Sequence, residues 1–78
     1  MIKFKAYAGN KNARDILETW LTNGQFEGLI VTGGWEPKEE WGSWGVEFAY
    51  KDQTILKSIK KEFGKQGVVA ERADIGIS

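Results

Sequence analysis

The chain has 78 residues and a mass of 8.8 kDa, its eleven Lys and Arg balance eleven Asp and Glu, and it contains neither His nor Cys. One domain fills that length, and 41% apolar residues with four Trp, four Phe and two Tyr take it out of the compositional range of disordered chains. Without His or Cys there are no disulfides, no thiolate or imidazole catalysis and no zinc site of the usual ligand types.

The chain opens on Ile2-Lys3-Phe4-Lys5-Ala6-Tyr7-Ala8, which alternates with period two. Ile2, Phe4, Ala6 and Ala8 share one side, and Lys3, Lys5 and Tyr7 the other, as in a half-buried strand. Gly9 ends it, and Asn10 or Asn12 supplies the N-cap of a helix. Between Ala13 and Leu21 the apolar positions Ala13, Ile16, Leu17, Trp20 and Leu21 recur at three and four, the stripe of an amphipathic helix that Asn23-Gly24 stops.

Phe26–Trp35 and Trp41–Tyr50 are apolar runs on either side of Glu36-Pro37-Lys38-Glu39-Glu40, the pattern of a β-hairpin with a five-residue loop. Asp52 caps a second helix with the stripe Ile55, Leu56, Ile59 and Phe63, ended by Gly64 or Gly67. Val68–Ile77 reads as a last strand, bulged near Ala70-Glu71. The order strand, helix, strand, strand, helix, strand with right-handed crossovers predicts an α+β two-layer sandwich of the ferredoxin-like βαββαβ type. In it, a four-stranded antiparallel sheet carries both helices on one face.

That arrangement leaves the second face of the sheet open. Pairing Trp35 with Trp41 around the hairpin puts Thr32 opposite Trp44, Ile30 opposite Val46, Gly28 opposite Phe48 and Phe26 opposite Tyr50, and these four outer pairs turn toward the helices. It leaves Leu29, Val31, Trp35, Trp41, Glu47 and Ala49 on the open face beside Tyr7, Lys3 and Lys5. A slip of one residue exchanges part of the two sets. Tyr7, Leu29, Val31, Trp35 and Trp41 then form an apolar patch of the kind that marks an interface.

Charge is uneven along the chain: residues 1–25 carry a net +2, residues 26–50 a net −4 and residues 51–78 a net +2. The hairpin is therefore an acidic, Trp-rich arm with Glu36, Glu39 and Glu40 as rim charge. The second helix has a basic edge at Lys57, Lys60, Lys61 and Lys65.

Chemistry-bearing motifs are sparse. Ser43, Ser58 and Ser78 lack a nucleophile-elbow context, and Gly33-Gly34 lacks the Lys and Ser/Thr of a phosphate loop. Glu36, Glu39 and Glu40 are close enough in sequence to hold a hard cation weakly, though without the alternation of a calcium loop. The expectation is a cofactor-free, non-catalytic chain with no metal centre. No apolar run nears the roughly 18 residues of a membrane span and no signal-peptide pattern opens the chain, so the expected location is cytoplasmic.

Two stretches are similar to signatures of the RNA recognition motif. Ala6-Tyr7-Ala8-Gly9-Asn10 resembles its shorter signature on the first strand, and Gly42–Phe48 its longer one on the third. The resemblance implies base stacking on sheet aromatics, with Tyr7 in that role. The matching third-strand positions hold Ser43 and Gly45 instead of aromatics.

These features give two functional expectations. The first is a small regulatory protein that binds a protein partner, or a second copy of itself, through Tyr7, Leu29, Val31, Trp35, Glu36, Glu39, Glu40 and Trp41. Its size and character are analogous to viral proteins that inhibit host enzymes. The alternative is a single-stranded nucleic-acid module built on Lys3, Lys5 and Tyr7, against which stands the balanced net charge.

Overall fold

In the computed structural model, which describes residues 1–38 and 42–73, the side-chain alternation of the first strand sets the layers. Strand β1 (Ile2–Ala8) turns Phe4, Ala6 and Ala8 inward, each at most 2% exposed. Helix α1 (Lys11–Thr22) comes directly after it, because the Asn10 side-chain oxygen accepts the Ala13 N–H at 2.8 Å and satisfies one of the helix's orphan donors. Its buried stripe is Ala13, Leu17 and Leu21. Ile16, expected on that stripe, is 46% exposed on the outer side of the helix.

Strands β2 (Ile30–Trp35) and β3 (Trp44–Tyr50) form the hairpin. Helix α2 (Ile55–Phe63) buries Ile55, Ile59 and Phe63, then a short 3-10 turn leads into β4 (Val69–Arg72). Asp52 is not the N-cap expected of it: Thr54 holds that position, without a side-chain cap bond. The Asp52 carboxylate two residues earlier accepts the Thr54 N–H at 2.9 Å, a bond that holds its pKa below the usual carboxylate value. Gly67, at φ +80°, supplies the left-handed residue that turns the chain from the 3-10 segment into β4.

The sheet order is β2-β3-β1-β4 with every neighbouring pair antiparallel, so the architecture is the expected two-layer α+β fold, consistent with the ferredoxin-like arrangement. Phe4, Ala6, Ala8, Val46, Phe48 and Val68 meet Leu17, Leu21, Ile55, Ile59 and Phe63 in one core. Trp20 closes its end, edge-to-face with Phe63 at 5.2 Å and with Phe26 at 4.9 Å, and Phe26 in turn meets Tyr50 at 5.7 Å.

The hairpin differs from the sequence expectation in length and register. Phe26 does not pair with Tyr50 as a strand residue; it touches that ring from a turn, closed by the Leu29 N–H on the Phe26 carbonyl at 3.2 Å. Gly24 and Gly28, at φ +98° and +83°, bend the chain there, which delays β2 until Ile30. The observed partners are Ile30 with Ala49, Val31 with Phe48, Gly33 with Glu47, Gly34 with Val46 and Trp35 with Gly45, with a bulge at Thr32-Gly33. Ile30 consequently lies on the open face, 57% exposed, and Val31 on the helix side, the reverse of the expected assignment.

In β4, pairing with β1 runs without interruption from Tyr7–Val69 to Phe4–Arg72, so the expected bulge near Ala70-Glu71 is absent. The remainder of the expected last strand, residues 74–77, lies outside the described residues.

Replacing Asn10 by Ala removes the α1 cap without touching the core. The expected loss is about 1 kcal/mol, a fall of about 4–8 °C in Tm for a domain of this size, read by circular dichroism. An unchanged Tm would show that water replaces the cap at no cost.

Candidate interaction face of the sheet

Both helices lie on one side of the sheet, and the strands present three cross-strand rows on the other. The first row runs Trp35, Gly45, Tyr7 and Val69 across β2, β3, β1 and β4. The second runs from the Thr32-Gly33 bulge through Glu47 and Lys5 to Glu71. A third runs Ile30, Ala49 and Lys3, and ends on Ala73, whose N–H donates to the Lys3 carbonyl at 2.8 Å. An aromatic and an apolar row thus flank a charged one.

The first row is built around a glycine. Gly45 has no side chain, and the Trp35 indole occupies the space beside its backbone. A Cβ at Gly45 would sit 2.0 Å from two atoms of that ring. This is the arrangement in which a cross-strand aromatic covers a strand glycine and offsets its weak strand propensity. From there the indole reaches Tyr7, whose ring stands edge-to-face at 5.4 Å, the favourable geometry for two aromatic quadrupoles. Lys5 Nζ lies 6.0 Å from the Trp35 centroid, at the outer limit of a cation–π contact.

The charged row is held in place by its neighbours. The Tyr7 hydroxyl donates to Glu71 Oε1 at 2.9 Å, and the Thr32 hydroxyl donates to Glu47 Oε1 at 3.3 Å. The bond to Glu71, with partial burial and the carboxylate charge, pushes the Tyr7 phenol above its ordinary pKa. In register, Lys5 stands between Glu47 and Glu71, so one basic residue has an acidic one on each neighbouring strand at the middle of the face.

Of the residues expected at a partner-binding site, the structure brings Tyr7 and Trp35 together, with Lys3 and Lys5 beside them. Leu29 and Val31 do not join them: both pack against the core, because β2 starts late and its register places Val31 opposite Phe48. Glu36 is exposed just past the end of β2. Glu39, Glu40 and Trp41 lie outside the described residues, and with them two of the three carboxylates suggested for a hard cation. Sequence reasoning missed Ile30, Gly45, Val69 and Glu71 as members of the face. The signal for Gly45 was available, since a strand glycine within alternating apolar residues asks for an aromatic opposite it.

Among the described residues no group of three His, Cys, Asp or Glu is placed to hold a metal ion, and no helix is long and apolar enough to cross a membrane. Comparison with protein-family models, with curated proteins and with solved structures found no match. The third-strand phenylalanine that the RNA recognition motif resemblance aligned, Phe48, is fully buried under the helices. The aromatic beside Tyr7 comes from β2 instead.

Two measurements check this geometry. The Trp35 ring current is expected to move a Gly45 Hα resonance upfield of its random-coil position, and Trp35→Ala to return it; a Gly45 signal indifferent to that substitution would contradict the packing. The Tyr7 phenol is expected to titrate above about 10 and to fall back in Glu71→Gln, followed by the ring resonances. Because the neutral phenol is the donor, its contribution to stability is present below the unfolded-state pKa and is lost as pH rises through the folded one.

Proposed function

We propose that this chain is a small, non-catalytic binding module that engages a protein partner through the open face of its sheet. Tyr7 and Trp35 are the anchors, and Glu47, Lys5 and Glu71 select the partner by charge. The observation that carries the reading is the edge-to-face Tyr7–Trp35 pair, half-buried by its own sheet on a face that neither helix covers. Trp and Tyr are the side chains enriched at binding hot spots, and both rings are already oriented by Gly45 and Glu71, which lowers the entropy lost on docking. The exposed Ile30 and Val69 at opposite edges extend the apolar area.

The mixed charge favours protein over nucleic acid. A phosphate backbone approaching Lys5 would meet Glu47 on one side and Glu71 on the other, whereas a protein surface carrying both signs would match all three. Glu36, exposed just past the end of β2, extends that negative rim.

The test compares capture by the wild-type chain, by Trp35→Ala and by Tyr7→Ala from nuclease-treated lysate of its own cells, followed by titration of the captured protein against each. A nuclease-resistant protein whose affinity falls by about 2 kcal/mol or more in either variant, the scale of an interface hot spot, supports the reading. Equal binding by all three chains removes the open face from the interface. Retention that vanishes with nuclease replaces the protein partner by a nucleic acid on Lys3, Lys5 and Tyr7.

A further inference from the structure

The basic edge of α2 lies away from the open face, and it borders a feature of a different kind. Strand β4 has one neighbour in the sheet, β1, and its other edge is unpaired among the described residues. The Ala73 N–H bonded to the Lys3 carbonyl fixes the phase of that ladder: Lys3–Ala73, Lys5–Glu71 and Tyr7–Val69 are the mutually bonded pairs. Ala70 falls between them, so its N–H and C=O point to the outer edge. Along the same edge, α2 and β4 enclose a groove of about 470 Å³. Leu56, Gly64, Val68 and Ala70 line it, and Lys57 and Lys60 stand on its helical wall. Three residues apart on α2, these two lysines share one face of the helix.

We propose that this groove binds an acidic peptide segment in extended conformation, which adds to β4 as a fifth strand. One apolar side chain of the peptide sits between α2 and β4, and its carboxylates meet Lys57 and Lys60. Each part of the site answers one property of such a ligand. The outward backbone of Ala70 offers the main-chain bonds of strand addition, the apolar lining takes an alternate side chain, and the lysines set the sign of the charge. Its volume falls within the roughly 300–1,000 Å³ of ligand clefts. A nucleic-acid strand would use the lysines but neither the free backbone nor the apolar lining, and among the described residues no aromatic side chain lines the groove to stack a base. This surface is distinct from the Tyr7–Trp35 face, so Trp35→Ala is expected to leave it intact.

The probe is a short end-blocked peptide alternating Glu with Val or Leu, titrated into the isotope-labelled chain and followed by amide shifts. The expected shifts concentrate on Val68–Glu71 and on α2 from Lys57 to Gly64, with slower hydrogen exchange at the Ala70 N–H. The same peptide with Lys for Glu, and the chain carrying Lys57→Glu and Lys60→Glu, are each expected to bind at least about tenfold more weakly. Ala70→Pro removes an outward N–H that takes no part in the ladder, so the fold is expected to persist and binding to be lost. If that variant unfolds, a peptide N-methylated at alternate residues makes the same test from the ligand side, and its undiminished binding would overturn strand addition. The proposal also fails if the Lys peptide binds as well as the Glu peptide, or if no shifts reach Val68–Glu71. It fails equally if oligothymidine alone shifts Lys57 and Lys60, or if raising the protein concentration without peptide produces the same shifts, which would make the occupant a second copy.

Discussion

The stacking of Phe4 on Phe48 across the two central strands is the contact on which the remainder depends. Both rings are fully buried, their centroids are 5.2 Å apart, and they face Leu17 and Ile59 in the helix layer. Because side chains alternate along a strand, fixing this pair fixes the face of every other residue on β1 and β3. A slip of one residue in either strand would turn that strand's phenylalanine out and its charged neighbour, Lys5 or Glu47, into the core, so the competing registers are far higher in energy. The same register brings Tyr7 opposite Gly45 and Lys5 opposite Glu47. The open face is thus a by-product of the core: its rows were set by a pair of rings on the other side of the sheet.

Once those rows exist, the face is ordered by small local contacts more than by burial. Gly45 leaves room, Trp35 fills it, Tyr7 abuts the indole, and Glu71 holds the Tyr7 hydroxyl. A glycine within a strand costs up to about 1 kcal/mol relative to alanine, and the covering indole offsets part of that loss. The result is a pair of rings held in place by the sheet itself.

Legibility in the sequence tracked the range of the interactions involved. The alternation in Ile2–Ala8, most of the two helix stripes and the cap at Asn10 depend on neighbours within a few residues and read correctly, whereas the cap of α2 falls on Thr54, two residues after Asp52. Ile16 failed because a helix of this width buries a narrower stripe than its apolar positions suggest, leaving Ile16 beside Thr19 on the outside. The hairpin register failed because it was counted outward from the loop, whereas two glycines with positive φ shorten β2 from its other end. That error moved Leu29 and Val31 to the wrong face. Trp35 was assigned correctly although its partner was not, since Gly45 rather than Trp41 lies opposite it. Val69 and Glu71 became members of the face only through pairing between the two chain ends, a contact that no local pattern encodes.

The bulge at Thr32-Gly33 has a consequence for how this chain tolerates changes of length. Upstream of it Ile30 faces outward and Val31 inward; with two residues opposite Glu47, the count is reset, and Gly34 faces inward while Trp35 faces outward. An unbroken strand would carry the indole into the layer occupied by Arg14 and Trp44, where Gly34 already approaches the Arg14 guanidinium so closely that a single added methyl would lie 3.3 Å from it. The extra residue works as a parity bit. Insertions in the connection beyond Trp35 leave the face unchanged, but losing one residue at the bulge inverts which side of the sheet the tryptophan decorates. For a sheet face that hangs on one indole, the heritable determinant of its surface is then the length of β2 as much as the identity of any side chain on it.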